Sequence, residues 1–490
     1  MLIQKHILKS LFCASVIVLA SCAKEDSPTQ QLKNNAYQPQ FVGLNGTEVP
    51  NQYIIRFNED KLPVSLPLGG ASESDIVLNT FKTLTKSLNI NPRIIYVYSS
   101  SIKGVAVEMT EEERDLLKSV PLVSYIENNK ILSIVDGFEV VENHGKKPKK
   151  KDGVTANGKG GKGKGGNNPS PDPEPDPTPD PEPDPTPDEP TNGGGKGKGG
   201  KGKGGNDPSP EPDPTPDPDP TPDPTPDPGT DTTGQPSQIT PWGIARVGGA
   251  ANPNSGVAWI LDTGIDSDHP DLNVDVTRSR VFLSRISGAT IEDGDGHGTH
   301  IAGTIGAINN SFGVVGVAQG VSLVAVRVLD NNGDGTVADV LAGIDYISAN
   351  AKAGDAANLS FAGPVSLSLD DAVIRTAAKG IYMVVAAGNY SQDANNYSPA
   401  RANGTNVFTI SACNSNDVFG YFSNYGSSID YASPGVEVTS TWLNGEYSSI
   451  SGTSMAAPHF AGLLLSTSSI RNGGRVLNDP DSQIDIIAVR

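Results

Sequence analysis

Residues 137–235 cannot build a core. A Lys/Gly run over 146–166 gives way to Pro-Asp, Pro-Glu and Pro-Thr repeats through Pro190, and the whole cassette recurs over 195–228. The repeats offer almost no apolar side chain to offset the conformational entropy of ordering them. Gly-Lys blocks are expected to be coil, and Pro-rich blocks extended polyproline II at ~3.1 Å per residue, stiffened by repulsion between neighbouring carboxylates. The reading that follows is a disordered Pro/Gly-rich linker acting as a spacer. A ligand for a proline-binding module or for the cell envelope is the competing one. Any fold must be made on either side of it, so the chain is read as two folding regions.

The linker also decides how the charge is read. The formal net charge is −19, but much of the acidity sits in the repeats and says little about a substrate. No basic face suggests nucleic acid. Three cysteines, Cys13, Cys22 and Cys413, do not make a disulfide framework. Lys5 and Lys9 lead an apolar run to Ala20, as in a targeting segment. It closes on Leu19-Ala20-Ser21-Cys22, which resembles a bacterial lipobox and implies a signal peptide over 1–22 with lipid on Cys22. An ordinary signal-peptidase site is the alternative. Ala23-Lys24-Glu25-Asp26 resembles the export tag of some surface lipoproteins, so an outer-membrane or cell-surface location is expected. Residues 23–50 read as a polar tether.

Residues 51–136 carry a small domain. Strands are predicted over 53–57, 93–98, 104–108 and 123–127, and helices over 74–88 and 111–118. Thr110 and Glu113 form a capping-box signature for the second helix. The order βαββαβ predicts an α+β ferredoxin-like sandwich. His144, in a lysine-rich loop beyond it, is expected to be solvated.

Residues 236–490 alternate apolar strands with helices. Strands are predicted over 256–261, 321–329, 357–360 and 381–386, and helices over 301–307, 337–350, 369–379 and 455–465. That is an α/β domain with a doubly wound, mostly parallel sheet. In such sheets the site lies beyond the C-terminal strand ends. Asp262, Ser360 and Asn389 all fall there. Ser454 precedes an apolar helix, where unpaired N–H groups favour a developing oxyanion. A plain N-cap serine is the competing reading of Ser454.

Asp262-Thr263-Gly264, Gly296-His297-Gly298-Thr299-His300, Ala387-Gly388-Asn389 and Gly452-Thr453-Ser454-Met455-Ala456-Ala457-Pro458-His459 resemble the subtilisin-like serine proteases. The order Asp, His, Ser is that of subtilisin. Asn396-Tyr397-Ser398-Pro399-Ala400 and Ser440-Thr441-Trp442 point to the proteinase K-like branch. The resemblance covers 236–466 well and implies a triad of Asp262, His297 and Ser454, with Asn389 as oxyanion donor. It covers 51–130 loosely, and there implies an inhibitor-type propeptide whose Tyr125-Ile126-Glu127 end lies near the active site.

The resemblance also places substrate contacts. Gly333 and Gly335 fall on an edge where a peptide adds as a β-strand; Ser360, Phe361, Ala362 and Gly363 fall on the opposite edge and one wall of S1. Relatives usually show Ser-Leu-Gly-Gly here, and the extra methyl of Ala362 narrows S1 or shifts the backbone. A structural calcium site on Asp430, with carbonyls of Thr405 and Val407, is implied by proteinase K; a longer loop at Ala402-Asn403-Gly404 alters it. No cofactor is expected for catalysis. His269, His300 and His459 are expected to be structural, and Cys413 a buried thiol. The sequence therefore predicts a lipid-anchored, exported serine endopeptidase, monomeric, acting on polypeptides and matured from a propeptide-bearing precursor. A catalytically silent surface-binding lipoprotein on a stalk is the second reading.

Overall fold

The computed structural model describes residues 45–63, 72–134, 237–254 and 256–490. Cys22, His144 and the linker lie outside them. The N-terminal domain runs β1 (Glu48–Phe57), α1 (Glu73–Leu88), β2 (Arg93–Tyr98), β3 (Gly104–Glu108), α2 (Glu111–Lys118) and β4 (Val123–Ser133). Its strands are antiparallel in the order β2-β3-β1-β4, the expected sandwich. Reciprocal capping boxes, Ser72 with Asp75 and Thr110 with Glu113, start the two helices. Period-two alternation sorts the strands. Tyr53, Ile55, Phe57, Val105 and Val107 face α1 and α2, whereas Ile54 and Ala106 join the core of the second domain.

The second domain contains α3 (Trp242–Arg246), β5 (Ala258–Asp262), β6 (Arg280–Val281), α4 (His297–Gly306), β7 (Leu323–Arg327), β8 (Asp334–Thr336), α5 (Val337–Asn350) and β9 (Ala356–Leu359). It continues with α6 (Leu367–Ala377), β10 (Tyr382–Ala386), β11 (Val407–Cys413), β12 (Tyr431–Pro434), β13 (Val438–Thr441), β14 (Tyr447–Ile450), α7 (Thr453–Ser466), β15 (Arg471–Arg475) and β16 (Ile486–Val489). The main sheet has the order β15-β16-β12-β11-β10-β9-β5-β7-β6, parallel except at β15. Its central strands are buried on both faces, which fits their continuous apolar sequences. One face packs α5 and α6, the other α4 and α7. Strand order reverses between β5 and β9, so a crevice opens at their C-terminal ends. Cys413 is a buried free thiol whose pKa burial pushes up to about 12. No helix among the described residues is long and apolar enough to cross a membrane.

Four of the boundary differences from the sequence expectation bear on the site. β1 begins at Glu48, inside the stretch read as tether, and β4 runs to Ser133 rather than stopping at 127. α4 begins at His297 and α7 at Thr453, each earlier than its apolar run. Gly296 and Gly452 are the N-caps, so Ser454 is the second helical residue and not a cap.

Candidate active site

Asp262 ends β5 and is fully buried. Its Oδ1 lies 2.8 Å from His297 Nδ1 and also accepts the Thr263 N–H at 2.8 Å. The carboxylate thus holds the imidazole by one nitrogen and turns the other away. The backbone allows this only through glycine on both sides of the histidine. Gly296 has φ +112°, and a Cβ there would sit 2.5 Å from the Trp442 ring; one on Gly298 would sit 2.1 Å from Gly264 O. His297 is 3% exposed.

Ser454 Oγ donates to Ser360 O at 3.0 Å, and Ser360 Oγ donates to Ser454 O at 2.9 Å. The start of α7 is therefore clamped to the segment after β9. Thr453 N and Oγ1 both donate to Asn389 Oδ1, at 2.9 and 2.8 Å. Held by its oxygen, the Asn389 amide presents Nδ2 on the other side. A Cβ built on Gly452 would lie 3.2 Å from that Nδ2 and 3.6 Å from Ser454 N. The two N–H donors thus border one small space beside the serine, as an oxyanion site requires. Ser454, Asn389, Phe361 and Ala362 line one pocket, with Gly388 and Tyr390. α4 and α7 share an apolar cluster that sets the histidine and serine helices side by side.

The cleft is filled by the chain's own N-terminal domain. β4 pairs antiparallel with β8, matching Ile131 to Thr336, Leu132 to Gly335 and Ser133 to Asp334. Ile134 N then donates to Gly333 O at 3.0 Å. Gly333 and Gly335 thus lie on a strand-adding edge. Leu132 is fully buried, with its side chain where a Cβ on Gly363 would stand.

Two residues here gave no sequence signal. Asn45 Nδ2 donates to Ala362 O at 3.2 Å and to Tyr390 Oη at 2.5 Å. Gly46 N donates to Ile131 O at 2.9 Å and Ile131 N to Thr47 O at 2.8 Å, so the 45–47 segment flanks β4 on the side away from β8. An asparagine in a polar tether and a tyrosine beside Asn389 belong to no periodic pattern.

The other described histidines, His269, His300 and His459, are buried. His300 Nε2 lies 2.9 Å from Val438 O, and burial lowers its pKa to about 3. His459 Nδ1 lies 2.8 Å from Met455 O, and burial lowers it to about 4. His269 packs edge-on against Tyr447. Asp430 Oδ2 accepts the Thr409 N–H at 2.8 Å, and burial raises its pKa. Among the described residues no group of three or more His, Cys, Asp or Glu could hold a metal.

The model of the Subtilase family matches residues 257–475, and that of Peptidase inhibitor I9 matches residues 52–134. Subtilisin Savinase of Lederbergia lenta is 42% identical over 234 residues, covering 46% of this chain and 83% of that protein. Proteinase T of Parengyodontium album is 39% identical over 240 residues, covering 46% and 78%. Alkaline serine protease ver112 of Corniculantispora psalliotae is 38% identical over 242 residues, covering 46% of this chain and only 60% of that protein. A crystal structure of a cold adapted subtilisin-like serine proteinase aligns at 38% identity and TM-score 0.40, covering 45% of this chain and 82% of that one. The two domains are a subtilisin-like peptidase domain and an inhibitor-type propeptide. The chain belongs to the subtilase family.

Proposed function

We propose that the chain is the precursor of an exported serine endopeptidase, held inactive by its own N-terminal domain and anchored through lipid on Cys22. The observation that carries this reading is the β4–β8 pairing. It lays the propeptide end as a strand along the edge leading to Ser454. Ser454 Oγ attacks the carbonyl presented there. His297 takes its proton and returns it to the leaving amine, while Asp262 fixes the tautomer and stabilises the imidazolium. Asn389 Nδ2 and Ser454 N receive the oxyanion. Losing such a donor in subtilisin costs ~10²–10³ in kcat, a magnitude taken over from that protein. Asp430, Thr405 and Val407 would hold a structural Ca²⁺ remote from the chemistry.

The test is Ser454→Ala. Peptide hydrolysis should vanish, labelling by a serine-directed phosphonate should be lost, and the precursor should stay uncut if maturation is intramolecular. Wild-type rates in this variant would overturn the assignment of the nucleophile. A wild-type chain that neither labels nor cuts would favour a silent surface lipoprotein.

A further inference from the structure

The pocket beside Ser454 has one wall that a bulky side chain cannot pass. Ala362 and Gly388 both line it. A Cβ built on Gly388 would stand 3.1 Å from the Ala362 methyl. Adding one C–C bond of ~1.5 Å, that methyl lies at most about 4.6 Å from Gly388 Cα. An aromatic ring between two carbon walls needs ~3.5 Å on each side, hence ~7 Å in all. The slot has room for no side chain between these two atoms.

Nor can the wall retreat cheaply. It is tied at both ends and in the middle. Asn358 Nδ2 donates to Ser360 Oγ at 2.7 Å, and Ser360 Oγ donates to Ser454 O at 2.9 Å. Phe361 is 2% exposed and built into the apolar core under α5 and α6. Gly363 exchanges both backbone hydrogen bonds with Ser398, at 2.8 and 3.1 Å. A shift of Ala362 by the missing ~2.4 Å would break several of these contacts, in an interior packed too densely to give.

We propose that Ala362 sets the substrate class by admitting only small residues, Gly, Ala or Ser, at the position whose carbonyl Ser454 attacks. This rests on the reading of the site as that of a serine endopeptidase. Larger residues meet the Ala362 methyl before their carbonyl reaches the oxyanion donors, so the loss falls on kcat/KM. One methylene's worth of misfit is worth ~10–200-fold in such discrimination, and a ring brings several.

The experiment uses enzyme matured from the full chain and peptide p-nitroanilides differing only in the residue before the cut. Wild type should favour Ala over Phe and Leu by at least ~100-fold in kcat/KM. Ala362→Gly should raise the Phe-to-Ala ratio by ~10-fold or more, and phosphonate labelling of Ser454 checks that the variant has folded to an active enzyme. If wild type labels with phosphonate yet cuts after Phe as well as after Ala, the size limit is wrong and the endopeptidase reading stands. The wild-type ratio decides this even where the glycine variant does not fold. If no peptide is cut and no label forms, the endopeptidase reading falls and this proposal with it.

Discussion

A serine hydroxyl is a weak nucleophile until a neutral base accepts its proton. His297 can do so only while unprotonated, so kcat/KM should fall on acidification as the imidazole gains its proton. A profile flat from weakly acid to alkaline pH would contradict a histidine base. Asp262→Asn keeps the shape but favours the wrong tautomer, and should cost about 10⁴ in kcat. A second titration is structural. Asp485 is 6% exposed and accepts a hydrogen bond from Ser411 Oγ. Burial raises its pKa from 3.8 to about 7, against that bond. Between those values the folded chain keeps a proton that the unfolded chain has lost. Stability is therefore fully present below pH ~4 and declines as pH rises through about 7, by on the order of 2–4 kcal/mol. Asp485→Asn removes this decline and keeps an acceptor for Ser411. By calorimetry on the Ser454→Ala precursor, it should raise Tm at pH 8 and not at pH 4; equal shifts at both would discount the ionisation. Asp262, His297 and Ser454 were legible as candidates in the sequence because each sits in a glycine- or small-residue motif that fixes its backbone. The contact at Asn45 was not, because one amide carries no pattern.

At the scale of elements, the strands and helices with strong periodicity were readable to within a residue or two, as α5 shows. The misses have one cause. Beyond Glu127 the polar run Asn128-Asn129-Lys130 breaks the strand signal, yet β4 continues because β1 pairs with it at Asn128 and Lys130 and β8 pairs with it from Ile131 on. α7 starts at Thr453 because Asn389 Oδ1 accepts its N–H and hydroxyl, which apolar periodicity cannot reveal. Tertiary partners also tell how firmly the propeptide holds. The Glu127 carboxylate receives Leu367 N at 2.6 Å and Ser366 Oγ at 3.0 Å, at the N-terminus of α6 where the helix dipole favours an anion. Asp345 receives the N–H groups of Ser100 and Ser101, each at 2.7 Å. Charge-assisted bonds of this kind are worth ~1.5–3 kcal/mol, a neutral one ~0.5–1.5. Glu127→Ala should therefore shorten the lag before activity appears by ~10-fold or more, and Asn45→Ala by ~2–10-fold. Progress curves of the maturing full chain measure both. Unchanged lags would mean that apolar packing on Ile54, Ala106 and Leu132 alone sets release.

The whole molecule poses a question of order. Between Ile134, the last described residue of the propeptide, and Ser237, where description resumes, lies the Pro- and Gly-rich stretch. Its sequence is too long and too poor in apolar side chains to hold two domains in a fixed relation. The β4–β8 register does hold them. Two cuts can then be weighed. One falls near 131–137, at the end of β4, where Gly137 is a small residue of the kind the pocket admits. The other falls near 235–240, just ahead of α3. The first should be intramolecular and early, since the propeptide supplies the local concentration; the second has no such guide and should follow in trans. After the first cut the linker stays on the protease, while Cys22 and the propeptide stay together. Release then depends on the propeptide letting go. Terminal sequencing by mass spectrometry through a maturation time course should find a new N-terminus at about residue 138, after Gly137, first. An earliest active species beginning near residue 235, with none beginning near 137, would reverse the order. Active enzyme still continuous with a lipidated Cys22 would make the linker a permanent stalk.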